Sequence, residues 1–231
     1  MAISVDTVYR TVLLIINKEQ RGYITPDEFN KTATQVQLEI FNEYFDNLNQ
    51  QIRIPDNDTE YADRIKNLQE KIAIFQTEGV CTFSTDHFDI PAVDDFYKLG
   101  TVIYNDDKEV QYVQPNELLE LNLSPITKPT KYWPIYTYKD FQIKVYPKTI
   151  TSGITCTYVR KPANPVWNFT LGLNQQYIYD AASSVQFELH PIEQTNLITR
   201  ILLYSGIVIK DPQIVQIAAQ QAQAESINSK S

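Results

Sequence analysis

Apolar residues recur at intervals of three and four from Ser4 to Asn17, so that Val5, Val8, Tyr9, Val12, Leu13 and Ile16 share one face of a helix capped by Ser4 or Asp6. Arg21-Gly22-Tyr23 breaks that pattern. In Thr25-Pro26-Asp27-Glu28, a threonine N-cap, a proline at the first helical position and a glutamate at the third make a capping box. The helix it opens is predicted to reach about Gln50. It carries Phe29, Ala33, Val36, Ile40, Tyr44 and Leu48 on one stripe, with Phe41 and Phe45 widening it, a breadth that predicts contact on two sides. Ile54-Pro55-Asp56-Asn57-Asp58 ends the helix. A third follows, with Tyr61, Ile65, Leu68, Ile72 and Phe75 on a heptad-like seam and Gly79 near its C-cap, and it is predicted to fold back on the second.

From Val80 the period shortens toward two. Thr101–Tyr104, Val110–Val113, Ile135–Tyr138, Phe141–Tyr146 and Ile154–Val159 are β-branched and aromatic runs that read as strands. The polar links Asn105-Asp106-Asp107-Lys108 and Lys139-Asp140 predict hairpins, hence antiparallel and mostly local pairing. Asn116–Leu123 reads as a short helix or an irregular strand, and the proline-rich stretch Ser124–Pro134 as an extended segment outside any sheet centre. Ala163–Leu173 reads as a loop and Val185–Leu189 as one further strand. Pro191-Ile192-Glu193 starts a helix running to Gly206, and Asp211-Pro212 opens a last one bearing Ile214, Ile217, Ala218 and Ala222. The expected fold class is α+β: N-terminal helices over 1–79, a central, mostly antiparallel β module over 80–189, and C-terminal helices over 190–231 that pack on the N-terminal ones.

Composition narrows the classes of function. With 43% hydrophobic and 12% aromatic residues among 231, the chain can fill a core, which excludes wholesale disorder. The net charge of -8 opposes sequence-general binding of a phosphate backbone. Thr11–Ile16 is too short and too soon broken by Asn17 and Lys18 for a membrane span or signal peptide. Cys81 and Cys156 fit neither a metal pair nor a disulfide framework and read as β-module core residues in a reducing compartment.

Candidate chemistry is sparse. His87, in Asp86-His87-Phe88-Asp89, has two carboxylates beside it but no second histidine, and reads as an exposed strand-end residue; His190 reads as a helix cap ahead of Glu193. Asp56, Asp58 and Glu60 have every-second-residue spacing, yet Tyr61 stands where a calcium loop needs glycine. The six glycines form no phosphate cradle. No catalytic, cofactor-binding or metal residue is therefore assigned, no cofactor is expected, and the expectation is a protein that is not an enzyme. Fifteen tyrosines and glutamine-rich helical faces suit subunit contacts better than a small-ligand site.

One resemblance spans nearly the whole chain. It rests on Tyr9-Arg10, on Asn17-Lys18-Glu19-Gln20-Arg21-Gly22-Tyr23-Ile24-Thr25-Pro26-Asp27-Glu28-Phe29-Asn30 and on Glu117-Leu118, Leu123-Ser124-Pro125, Pro134-Ile135-Tyr136 and Val145-Tyr146-Pro147. Tyr158-Val159-Arg160-Lys161-Pro162, Phe187-Glu188-Leu189-His190 and the run from Ile201 to Pro212 complete it. In these features the chain resembles a virion structural protein of the crAss-like bacteriophages that infect Bacteroidetes. Its layout is also similar to the head-to-tail adaptors of short-tailed phages. The resemblance implies a ring of about twelve identical subunits between the portal protein and other ring or tail proteins, lining the channel through which double-stranded DNA leaves without being specifically bound. It implies a place in the virion, in the host cytoplasm during assembly, and no membrane. The other readings are a tail-hub or capsid-associated protein, and a glycan- or receptor-binding module built on the aromatic β portion, with Trp133 and surface tyrosines in contact with the sugar.

Overall fold

A computed structural model of the chain describes residues 3–18, 23–53, 59–91, 93–209, 216–217, 219–221 and 223–224, with the backbone alone at 18, 47–53, 59–65 and 207–209. The fold is α+β, with helices and a mostly antiparallel sheet. It divides into two compact units, one of residues 1–74 with 162–231 and one of residues 75–161.

The first unit is built on α1 (Val5–Lys18), α2 (Pro26–Arg53), α3 (Thr59–Ala73) and α5 (Gln194–Ile209), with α5 against both α1 and α2, and α2 against α3. Ser4 caps α1, its Oγ accepting from the Thr7 N–H at 3.3 Å. The box at α2 forms as its spacing predicts: Thr25 Oγ1 accepts from Glu28 N (3.3 Å) and Glu28 Oε2 accepts from Thr25 N (2.9 Å). Phe29, Ala33, Val36, Ile40, Phe41 and Tyr44 are buried on α2, as its wide stripe predicts. Leu48, Tyr61 and Ile65 fall outside the described side chains, and the cap expected at Asp211-Pro212 falls outside the described residues.

Between the units' boundary at Pro162 and the helical turn at Pro191–Glu193, the chain runs along α2 rather than continuing the β module. Asn30 and Gln37 lie two turns apart on one face. Asn30 pairs with both backbone groups of Trp167 (Oδ1 from N–H, 2.8 Å; Nδ2 to O, 3.2 Å). Gln37 donates to Ala163 O (2.7 Å) and accepts from Glu188 N (3.1 Å). The strand expected over Val185–Leu189 does not form. Its backbone groups are taken by Gln37 and by single bridges, Val185 to Val166 and Phe187 to Ile3. Part of the expected loop, β9 (Phe169–Leu171), is instead a strand and pairs with β10 (Tyr177–Tyr179) beyond it. The boundaries at 79/80 and 189/190 accordingly differ from the unit edges at 74/75 and 161/162.

The second unit contains β1 (Gln76–Val80), β2 (Thr82–Ser84), β3 (His87–Asp89), β4 (Phe96–Tyr104), β5 (Lys108–Tyr112), α4 (Pro115–Leu123), β6 (Ile135–Lys139), β7 (Gln142–Tyr146) and β8 (Ile154–Arg160). The strand order is β1-β8-β4-β5-β6-β7-β3-β2. Its two ends, β1 and β2, are consecutive in the chain with Cys81 alone between them, so the strand that pairs with β8 runs on into the one that pairs with β3 and the order returns to its own start as a barrel. Gly79 lies inside β1 opposite Cys156, not at a helix C-cap. Pairing is less local than the hairpin signals suggest: β8 enters between β1 and β4, and β5 runs parallel to β6 because α4 and the loop after it carry the chain back. The β6–β7 loop is Asp140-Phe141, both at positive φ (50° and 63°), so Phe141 is a turn residue and not the start of a strand. Gly153 is obligatory in the same sense, with φ 77° and room for no Cβ, which would meet Asn105 Oδ1 at 2.1 Å. Phe88, Val102, Val110, Ile143, Ile154 and Cys156 fill the interior.

Candidate functional site

The least buried apolar surface of the barrel unit follows from α4. Pro115 starts this helix and Glu117 accepts from the Gln114 N–H at 3.1 Å. Leu118 packs with Val113 and Ile135. Four leucines in six positions exceed what one face of a short helix can bury, and Leu119 and Leu123 point to solvent. The loop that follows is held by Thr127 Oγ1 to Leu121 O (3.1 Å) and by a tight turn in which Trp133 N donates to Thr130 O (3.1 Å). It presents Ile126, Tyr132 and Trp133 with 93%, 76% and 81% of their surfaces exposed. Beside it lies an open cleft of about 790 Å³ between β5 and the loop, lined by Tyr112, Tyr132, Trp133 and Pro134 with Asp107, Lys108, Glu109 and Gln111. Lys108 Nζ stands 4.8 Å over the Tyr132 ring. Large exposed apolar and aromatic side chains are the residue types that dominate interface energetics once covered.

The helical unit has a smaller aromatic cleft of about 340 Å³, where Tyr9, Tyr23, Trp167, Tyr177 and Tyr179 surround Arg10 and Leu13. Trp167 is fixed there by its indole N–H to Asp6 Oδ1 (3.0 Å) and by the Tyr9 ring at 4.4 Å. Acidic side chains converge elsewhere in this unit and are partnered. Glu43 forms a bidentate pair with Arg200 (2.7 Å each), Glu39 accepts from Tyr204, and buried Glu193 pairs with Lys71 Nζ (2.6 Å) and Asn196 Nδ2 (3.2 Å). The arrangement ties α2, α3 and α5 together and leaves these carboxylates engaged.

His87 is half-buried rather than exposed. Its ring nitrogens each face one carboxylate, Nδ1 to Asp86 (2.8 Å) and Nε2 to Asp89 (3.1 Å), so the three groups point at one another and not at a shared centre. His87 and Lys144 (2.7 Å) together hold the Asp86 carboxyl down at about 2. His190 caps the turn at Pro191–Glu193, its Nδ1 accepting from Ile192 N at 3.4 Å. Asp56 and Asp58 lie outside the described residues, as does the side chain of Glu60. Among the described residues no group of three or more His, Cys, Asp or Glu side chains can hold a metal ion, and no helix is long and apolar enough to cross a membrane. Cys81 and Cys156 come together in the barrel core, Sγ to Sγ 3.2 Å, both as free thiols. The hydrogen bond from Cys81 to the Cys156 sulfur pushes the Cys81 thiol up and the Cys156 thiol down.

No protein-family model matches the chain, and no curated protein matches it. The surface at Leu119–Trp133 is only partly visible in the sequence. The surplus leucines of α4 are the signal; the exposure of Ile126 and Tyr132 comes from a loop whose prolines fix that it leaves the sheet but not which way its side chains face.

Proposed function

We propose that the protein is a non-enzymatic phage virion component, a ring-forming head-to-tail connector between portal and tail through which the genome passes. The observation that carries this reading is the exposed apolar surface from Leu119 to Trp133, which a soluble chain keeps at a cost in solubility unless another subunit covers it. A net charge of -8 accords with a conduit along which phosphate slides and is not gripped. The resemblance to crAss-like phage structural proteins supplies the assembly itself. Native mass spectrometry of the purified chain, alone and with portal protein, tests it: a closed ring is expected in one of the two, and Leu123→Asp is expected to abolish the ring while leaving far-ultraviolet circular dichroism and melting unchanged. A chain that stays monomeric in both, and is missing from the portal and tail density of virions, ends the proposal.

The cleft at Tyr112, Tyr132 and Trp133 favours a second reading, a glycan-binding module, since aromatic faces beside Asp107, Glu109 and Gln111 match the apolar and hydroxyl sides of a sugar. A glycan array separates the two. Binding lost in Trp133→Ala supports the module; silence across the array removes it.

A further inference from the structure

Cys81 and Cys156 are the chain's two cysteines. Cys81 is the single residue between β1 and β2, at the bend where the barrel closes, and its N–H donates to Ile154 O at 2.9 Å. Cys156 sits on the neighbouring strand opposite Gly79, so both sulfurs reach the barrel interior from adjacent strands, 3.2 Å apart. They are in van der Waals contact, and a covalent bond needs a further approach of about an ångström.

We infer that Cys81 and Cys156 are an oxidisable pair whose disulfide fastens the barrel at its closing seam. Cys81 is 5% exposed and Cys156 is fully buried, so a small oxidant reaches the pair from the Cys81 side. With hydrogen peroxide one sulfur of the pair takes one oxygen to become a sulfenic acid, and the peroxide is reduced to water. The other sulfur then attacks it, the S–S bond forms, and the hydroxyl leaves as a second water carrying the attacking thiol's proton. Two thiols and one peroxide thus give one disulfide and two waters. A resolving thiol already in contact favours this outcome over further oxidation of the first sulfur. The same fold is then a dithiol in reducing surroundings and a locked barrel in oxidising ones. The inference is independent of the connector reading.

The full-length folded protein, treated with hydrogen peroxide, is expected to lose about 2 Da through the bond and to yield a proteolytic peptide pair joining Cys81 to Cys156. Its melting temperature is expected to rise by about 10 °C, because the bond closes a long loop in the unfolded chain. Dithiothreitol reverses both effects, and Cys156→Ala shows neither. The wild-type peptide map stands even if that variant folds poorly. Two thiols still titratable after treatment, Cys81 carried to a sulfinic acid, or bonds formed only between chains would overturn the pair; a bond with no rise in melting would overturn the fastening role.

Discussion

In the helical unit, side chains do the work of joining backbone segments: the amides of Asn30 and Gln37 hold Ala163, Trp167 and Glu188, and Glu193 and Glu43 bind α3 and α5 through Lys71 and Arg200. In the barrel the backbone joins itself. Among the described residues its core cluster is made of apolar groups, tyrosines and two thiols, because the strands are joined mainly by backbone ladders, with the Thr157 side chain bridging Thr101 where the β4–β8 register shifts. The difference sets where each unit is vulnerable. The barrel is exposed to loss of volume, the helical unit also to loss of a single polar partner.

Removing a fully buried ring from either unit tests the part they share. Phe187→Ala in the helical unit and Phe88→Ala in the barrel are each expected to cost about 3–5 kcal/mol, since both rings are buried. Hydrogen exchange should place the loss in the unit that bears the substitution, and a uniform loss across both would dissolve the comparison. Removing one polar partner sharpens it. Lys71→Met takes the cation from the buried Glu193 carboxylate, leaving the Asn196 amide on it, and is expected to cost about 2 kcal/mol, less than for a sealed pair because the lysine keeps partial contact with water. Chemical denaturation checks this, and the double variant Lys71→Met with Glu193→Leu should recover most of the loss. A Lys71→Met protein as stable as wild type would mean the clamp is ornamental.

The smallest effect is at the barrel surface. Asp86 has its carboxyl held lower in the folded chain than in the unfolded one, so the folded state binds fewer protons there, and the stability it contributes is present above about pH 4. That contribution fades as pH falls through the folded value of about 2. Melting wild type and Asp86→Asn at pH 6, 4, 3 and 2 should show a gap that narrows toward pH 2. A gap constant across the series would remove His87 and Lys144 as its cause.

Local chemistry made much of this fold legible. The Thr25–Glu28 box, the α1 stripe and the β-branched runs from Thr101 to Val159 depend on neighbours three or four residues away, or two, and each formed within a residue or two of where its spacing places it, Phe141 going to the turn before β7. Val185–Leu189 shows the opposite case. It has the alternation of a strand, but the partner that took its backbone groups, Gln37, is far off in sequence and on a helix, where periodicity carries no information. Of the candidate surface, the leucine surplus on α4 was readable; the placement of Tyr132 and Trp133 beside Tyr112 depended on the parallel pairing of β5 with β6.

The amino-acid sequence by itself determined most of the helices and of the strands between Thr101 and Val159, the caps that start α1 and α2, and the apolar content of the core, because those follow from residue type and short-range spacing. Only the tertiary structure decided that β1 and β2 are one bent strand closing a barrel, that residues 162–189 join the helices, and that two cysteines 75 positions apart touch. Contacts between distant segments are chosen by which backbone and side-chain groups remain unsatisfied once the whole chain packs, and no local window contains that choice.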